Sequence, residues 1–249
     1  MTHHDVQLTD ETAIRVDLAA AIRLARRADW HEGVANHFSA AVSADGRKFL
    51  VNPRWVHWSR VRASDLVLCD ADDPSTMERP DAPDPSAWAI HSALHRNLGQ
   101  ARVALHIHPP YATALCGLKD PTIMPIDQVT ARFYKRLAYD LNFGGIATAE
   151  EEGERISQAV GDKSAVIMGN HGVTTLGTSV AEAYDALYHL ERAARTMVLA
   201  YSTGQELSIM GDNLAEETAA EWETYKDAEH AHFAEMKRLL DNDEPDYKD

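Results

Sequence analysis

The spacing of apolar residues predicts helices and short strands that intermix along the whole chain. Helical spacing extends over residues 9–29, 86–97, 148–162, 179–204 and 211–241, and a shorter helix begins near Tyr111 and ends at Gly117. Strand patterns cover residues 65–72, 103–108 and 164–169, a short strand after Gly172, and a hairpin over 35–53. Residues 127–145 fit neither pattern. Such mixing predicts one domain of the α/β or α+β class.

The acidic, proline-rich segment 72–86 interrupts this pattern. It is predicted to be a surface loop rather than a domain linker, because strand and helix signals resume on both sides of it.

The charge balance excludes two classes of partner. The 249 residues include 24 Lys and Arg against 39 Asp and Glu, a formal net charge of -15. Nucleic acids and anionic membranes need a basic face, and none is visible. The apolar runs are too short to span a bilayer, and the first 30 residues lack the apolar core of a signal peptide. We therefore expect a cytoplasmic protein whose two cysteines, Cys69 and Cys116, are reduced and buried.

Three histidines form the main chemical signal. His106 and His108 lie one residue apart at the end of a predicted strand, so they share a face. His171 ends a second predicted strand, between Asn170 and Gly172. Two strands of one sheet can bring the three imidazoles together. With one open position, such a set suits a divalent ion, with zinc as the first choice and manganese or iron as alternatives.

Three motifs, in this order, resemble the class II aldolase/adducin family: "HIHPPYATAL" from His106, "GNHGVTTLG" from Gly169 and "AYDALYHLERAA" from Ala183. The family includes sugar-phosphate aldolases, an epimerase and metal-dependent decarboxylases. The resemblance covers roughly residues 12–205 of a predicted single domain, 1–249, with a helical tail at 211–241. It implies a three-layer α/β/α sandwich around a mostly antiparallel sheet. It also implies a homotetramer with active sites between subunits, and metal binding by His106, His108 and His171.

The departures from the family pattern are informative. Where the family's aldolases carry an acid/base carboxylate, this chain has Ala87, which has no proton to exchange. The aldolases' phosphate-binding segments become Asn36-His37-Phe38-Ser39 and Arg54-Trp55. Small residues are thus replaced by a cation and an aromatic ring.

These substitutions define the remaining site hypotheses. Arg54 and His37 are predicted to hold a carboxylate, and Asn36, Ser86 and Trp88 are further substrate-binding candidates. Trp55 and Trp58 could flank a substrate too, although ordinary packing is an equal interpretation of all three tryptophans. His37 and Tyr134 are the catalytic candidates; Tyr139 and a metal-bound water are alternatives. His91, four residues before His95, is interpreted as a supporting or structural residue.

The function predicted from the sequence is a divalent-metal-dependent lyase. It would break a C–C bond in a small hydroxy or oxo carboxylate, by decarboxylation or by retro-aldol cleavage. One alternative is a non-catalytic, adducin-like assembly module, although the acidic tail "LLDNDEPDYKD" differs from the lysine-rich tail of an adducin. The other is a metal-dependent epimerase or dehydratase.

Overall fold

The computed structural model describes residues 10–145, 150–225 and 227–249. The helices are α1 (Glu11–Arg27), α2 (Pro85–Asn97), α3 (Pro110–Cys116), α4 (Gln128–Ala131), α5 (Glu150–Val160), α6 (Val180–Ser202), α7 (Asp212–Thr224) and α8 (Ala228–Asp243). The strands are β1 (His37–Ala41), β2 (Lys48–Val51), β3 (Val67–Asp70), β4 (Val103–Ile107), β5 (Leu137–Asp140), β6 (Ala165–Met168) and β7 (Val173–Gly177). The predicted helix starts at Thr9 and at residue 148 lie outside the described residues.

The strands form one seven-stranded sheet in the order β3-β2-β1-β4-β7-β6-β5. Neighbours are antiparallel except for β5 and β6, which are parallel. The predicted, mostly antiparallel sheet is therefore confirmed. Within it, His37 of β1 pairs with His106 of β4, and His106 pairs with Thr174 of β7. Opposite residues of neighbouring strands share a face, so these three side chains lie side by side.

Helices cover both faces of the sheet, which confirms the α/β/α sandwich. Alternate strand residues such as Leu105 and Ile167 pack with α1, α3, α6 and α8. Their neighbours Ala104 and Val166 face the other way and pack with α2 and α5. His106 is two residues after Ala104 in β4, so its side chain lies on the same face of the sheet, which α2 covers.

Residues 127–145, which the apolar pattern left open, contain α4 and β5. The parallel strand β5 is short and buried, which is why alternation is not visible in its sequence. The two free cysteines are buried, as predicted, and burial raises the pKa of each thiol to about 12.

The prediction of one tail helix over 211–241 is wrong. Two helices, α7 and α8, occupy this region, and Asp227 between them has φ 60. A left-handed residue cannot continue a right-handed helix, and an aspartate tolerates that conformation without leaving a glycine or proline signal in the sequence. The carboxylate of Asp185 on α6 holds α8, because it accepts a hydrogen bond of 2.7 Å from His232.

Candidate active site

A cavity of about 530 Å³ opens where β1 begins and β4 ends, on the face that α2 covers. Seven of the predicted site residues line it: Asn36, His37, Arg54, Ser86, His106, His108 and His171. They come from segments that are distant in the sequence, and the sheet order brings them together. Ala87 also lies in the wall, so no carboxylate stands at that position.

The three histidines converge at one end of this cavity. One ring nitrogen from each of His106, His108 and His171 lies within 4.8 Å of the other two. The Nε2 atoms of His106 and His108 are 3.2 Å apart. His171 reaches them from the turn between β6 and β7, where Asn170 adopts a left-handed φ of 55.

The outer nitrogens of His106 and His108 have partners that fix the orientation of these two rings. Nδ1 of His108 lies 2.6 Å from the Glu32 carboxylate, which can only accept, so that nitrogen carries the proton. Nδ1 of His106 lies 3.1 Å from the hydroxyl of Thr174. With Nδ1 protonated, a neutral imidazole presents the Nε2 lone pair. A carboxylate behind a histidine is the usual arrangement around a metal ligand.

The cluster fits a cation for an electrostatic reason. Burial lowers the pKa of His171 to about 4 and that of His106 well below its ordinary value, so both are neutral near pH 7. A cation between the Nε2 atoms of His106 and His108, 3.2 Å apart, would be attracted by both lone pairs when neither nitrogen carries a proton. This donor set, three imidazoles with no cysteine, suits a divalent transition ion with open coordination positions.

A second wall of the cavity carries Arg54, Trp55 and Asn36. The Arg54 guanidinium lies 4.6 Å over the Trp55 ring, and its Nε is 3.4 Å from Asp84. Trp55 and Asn36 both have left-handed backbones, with φ 64 and φ 72. That conformation costs energy, most of all for a bulky residue, and is concentrated at functional sites. The strain supports a ligand-binding role for this wall.

Two predicted residues lie away from the cavity of their own chain. Trp88 packs beside Ala87 against the β2–β3 end of the sheet and stacks on Phe49, with ring centroids 6.4 Å apart. Tyr134 follows α4, with the ammonium of Lys135 4.8 Å over its ring. Of the tryptophans considered, Trp55 lines the cavity, whereas Trp58 is fully buried against Phe38. Any part that Tyr134 plays in catalysis would require a second copy of the chain.

Three acidic residues that were not among the predicted site residues support the site. Glu32 holds His108, and Asp84 accepts a hydrogen bond from Ser86. Glu191 of α6 is buried and accepts backbone N–H bonds from Tyr111 and Ala112, at 2.9 and 2.8 Å. Glu191 thus fixes the start of α3, shortly after His106 and His108. The contacts of Glu32 and Glu191 join segments that no local pattern connects, whereas Asp84 is the N-cap of α2, a position that the Asp84-Pro85 pair could have indicated.

Glu191→Gln is expected to change how stability depends on pH. Burial raises the pKa of Glu191 to about 7 from the ordinary 4.5, despite its two N–H donors. Protonation of Glu191 contributes about 3 kcal/mol to the free energy of unfolding. This contribution is fully present below pH 4.5 and is lost as pH rises through 7. The glutamine keeps an acceptor but no charge. It should therefore gain stability relative to the wild type as pH rises from 4.5 to 8.

Urea unfolding at several pH values checks this prediction. Glu206→Gln, at an exposed position, serves as the control and should follow the wild type. Parallel stability curves for Glu191→Gln and the wild type would contradict the assignment of a raised pKa to Glu191.

Comparison with known proteins agrees with this geometry. Residues 16–198 match the model of the class II aldolase and adducin N-terminal domain. The chain belongs to the class II aldolase/adducin family. A Caulobacter vibrioides protein, named only as an aldolase of class 2, is 31% identical over 83% of this chain and 80% of its own length.

Solved structures of the family show the same fold. An aldolase II superfamily protein from Pseudomonas syringae has a TM-score of 0.87 and 32% identity, covering 96% of both chains. The L-fuculose 1-phosphate aldolase from Glaciozyma antarctica PI12 has a TM-score of 0.82 and covers 100% of this chain and 97% of its own. At 20% identity, the second likeness concerns the fold alone.

Proposed function

We propose that this protein is a divalent-metal-dependent lyase that breaks a C–C bond in a small hydroxy or oxo carboxylate, by decarboxylation or retro-aldol cleavage. The observation that supports it most is the convergence of three histidine nitrogens within 4.8 Å in a cavity whose other wall carries a guanidinium. Membership of the class II aldolase/adducin family agrees with this class of chemistry.

Each part of the cavity has a distinct task in this proposal. His106, His108 and His171 would hold the ion. A divalent ion supplies Lewis acidity, which stabilises negative charge on an oxygen beside the breaking bond. Arg54 is 40% exposed, so its guanidinium is free to turn to a substrate carboxylate and bind it with two parallel hydrogen bonds. The Trp55 ring beneath it keeps the guanidinium near the cavity.

His37 is the group best placed to move a proton. Its Nε2 lies 3.2 Å from the Ser86 hydroxyl, and its ring stacks on that of His106 at 4.7 Å between centroids. In retro-aldol cleavage, Nε2 would take the proton of the substrate hydroxyl. In decarboxylation, bond breaking needs no base, and the same nitrogen would take a proton from water and pass it to carbon. His37 thus replaces the carboxylate that Ala87 does not supply.

The finer features of the prediction also belong to this proposal. Zinc is the first choice of metal, and manganese and iron are alternatives, because imidazole ligands accept all three. The homotetramer and the cytoplasmic location remain predictions. No helix in the described ranges is long and apolar enough to cross a membrane. Light scattering of the purified protein would test the tetramer.

Elemental analysis together with a substrate screen tests the proposal. We expect about one divalent ion per chain in the wild type, and none after His171→Ala. His230→Ala is the matched control, since His230 belongs to a separate Glu182–Glu229–His230 group on the surface. Release of carbon dioxide or aldehyde from small hydroxy and oxo carboxylates should stop on chelation and return with the ion.

Other results would favour the alternatives. A chain that binds no ion even after reconstitution would overturn the lyase proposal in favour of an adducin-like assembly module. An ion with epimerised or dehydrated products, and no C–C cleavage, would indicate the epimerase or dehydratase alternative. Full activity of His171→Ala on every accepted substrate would contradict the metal mechanism.

A further inference from the structure

A hydrogen-bonded chain of buried side chains runs from the cavity into the space between the sheet and α2. Nδ1 of His37 lies 2.7 Å from Nε2 of His91. Nδ1 of His91 contacts the hydroxyl of Ser39, which lies 2.8 Å from Nε2 of His95. Nδ1 of His95 ends the chain, 2.7 Å from the carbonyl oxygen of Ala101. All four side chains are at most 5% exposed.

The direction of these hydrogen bonds follows from the far end. The carbonyl of Ala101 can only accept, so Nδ1 of His95 carries a proton and Nε2 of the neutral ring is an acceptor. The Ser39 hydroxyl must then donate its single proton to His95. Ser39 consequently accepts from His91, so the His91 proton is also on Nδ1.

The same argument extends to the cavity. Nε2 of His91 is left as an acceptor, so His37 donates to it from Nδ1. Burial lowers the pKa of His95 to about 4 and that of His91 well below its ordinary value. Both rings are therefore neutral near pH 7, and the chain has only this one direction.

Nε2 of His37 faces the cavity without a competing donor among the described residues. Its neighbour at 3.2 Å is the hydroxyl of Ser86, which lies 2.6 Å from the carboxylate of Asp84. A carboxylate only accepts, so the single hydroxyl proton of Ser86 goes to Asp84. Nε2 of His37 therefore receives no proton from Ser86, and once His37 is protonated the Ser86 oxygen can accept a hydrogen bond from it.

We propose that His91, Ser39 and His95 are positioning residues, which hold His37 in the Nδ1–H tautomer so that Nε2 is the proton acceptor of the reaction. The inference rests on the proposed function, since it concerns the base of that reaction. It explains how a histidine works where the family's aldolases use a carboxylate. A neutral histidine has two tautomers, and only one of them can take a proton from the cavity.

The proton balance of the step is simple. The substrate O–H bond breaks, its electron pair stays on oxygen, and its proton forms a bond to Nε2 of His37. His37 is then positively charged, and Asp84 lies close by behind Ser86. Burial lowers the pKa of His37 to about 3, and the Asp84 carboxylate opposes that shift. Nε2 faces the cavity, so the proton can be returned to the product from there.

The tautomer can be measured without any substrate. Two-bond ¹H–¹⁵N spectra of histidine-labelled, zinc-loaded protein distinguish protonated from unprotonated ring nitrogens, and His37→Gln identifies the signals of His37. We expect Nδ1 of His37 to be protonated and Nε2 unprotonated near pH 7. A wild-type spectrum with a proton on Nε2 would overturn the inference.

Ser39→Ala breaks the chain at its middle. Nδ1 of His91 then loses its acceptor, so His91 can move its proton to Nε2 and force His37 into the opposite tautomer. We expect a mixture of His37 tautomers and a ~10- to 100-fold lower kcat, with KM and metal content unchanged. Ser39→Thr keeps the hydroxyl and should restore both the tautomer and kcat.

Ser92→Ala is the matched control. Ser92 is also a buried serine beside His91, but its hydroxyl has no hydrogen-bond partner in the described part of the chain. This variant should match the wild type in both measurements. Wild-type tautomer and kcat in Ser39→Ala would refute the positioning role. The expected tautomers in a protein that cleaves no tested substrate would instead refute only the proposed function.

Discussion

Gly172→Ala is expected to cost the protein its ability to retain a divalent ion. A Cβ atom on residue 172 would lie 2.3 Å from Cδ2 of His108 and 2.8 Å from the carbonyl oxygen of Ile107. Folded proteins do not tolerate such distances, so either the His108 ring or the backbone must move. The glycine between His171 and β7 is thus required for the close approach of two metal-binding candidates.

The backbone around Gly172 has little freedom to relax. Its carbonyl oxygen accepts the N–H of Met168 at 2.9 Å, and the Cys116 thiol lies 3.2 Å from the same oxygen. Ile107 is held by its pairing with Val173. The His108 ring must therefore give way, which moves its Nε2 from that of His106 and breaks its contact with Glu32. We expect metal affinity to fall at least ~10-fold and stability by about 1–3 kcal/mol.

Titration with zinc and urea unfolding would measure the two effects separately. Gly99→Ala is the control, because a Cβ at residue 99 would meet no atom within 4 Å. It should bind the ion as the wild type does. If Gly172→Ala kept wild-type affinity, the arrangement of His108 and His171 around a shared ion would be wrong, whatever the change in stability.

Local patterns predicted the elements that carry the histidine cluster. Alternation in a strand placed His106 and His108 on one face, and the Asn170-His171-Gly172 turn marked the end of a second strand. Both patterns involve residues close together in the sequence, so they are visible without the fold. The family resemblance added the sheet that joins them, and the structure confirms that sheet.

The residues around the cluster could not be predicted in this way. His37 and Ser39 share a strand face, and His91 and His95 share a helix face. Whether those faces meet depends on which side of the sheet α2 covers, which is a property of the whole fold. The same limit explains Trp88. Its place beside Ala87 in the sequence suggested that its ring would contact the substrate, but in the folded helix the ring stacks on Phe49 instead.

Gly153→Ala is expected to destabilise the protein strongly, although alanine is the better helix former. Gly153 lies in α5, where alanine should gain about 1 kcal/mol from helix propensity. However, its Cβ would lie 2.0 Å from the carbonyl oxygen of Ala89 and 3.2 Å from Cβ of Ala93, both on α2. The first contact is with backbone, so rotating a side chain cannot relieve it. The two helices would have to separate along their length.

That separation should cost more than the propensity gain. Overpacking of a buried contact costs about 1–3 kcal/mol and sometimes more, so after the propensity gain we expect a net loss of up to about 2 kcal/mol in unfolding free energy. Catalysis should weaken as well, because α2 carries both Ser86 at the cavity and His91 behind His37.

Thermal and urea unfolding test this, with Ala159→Gly as the reciprocal control. Ala159 is on the exposed face of the same helix, so its replacement by glycine changes propensity and little else. It should cost about 0.5–1 kcal/mol. A Gly153→Ala variant more stable than the wild type would mean that α2 and α5 can move apart freely. In that case α2 would not be rigid enough to hold His91 against His37, so this measurement also bears on the tautomer argument.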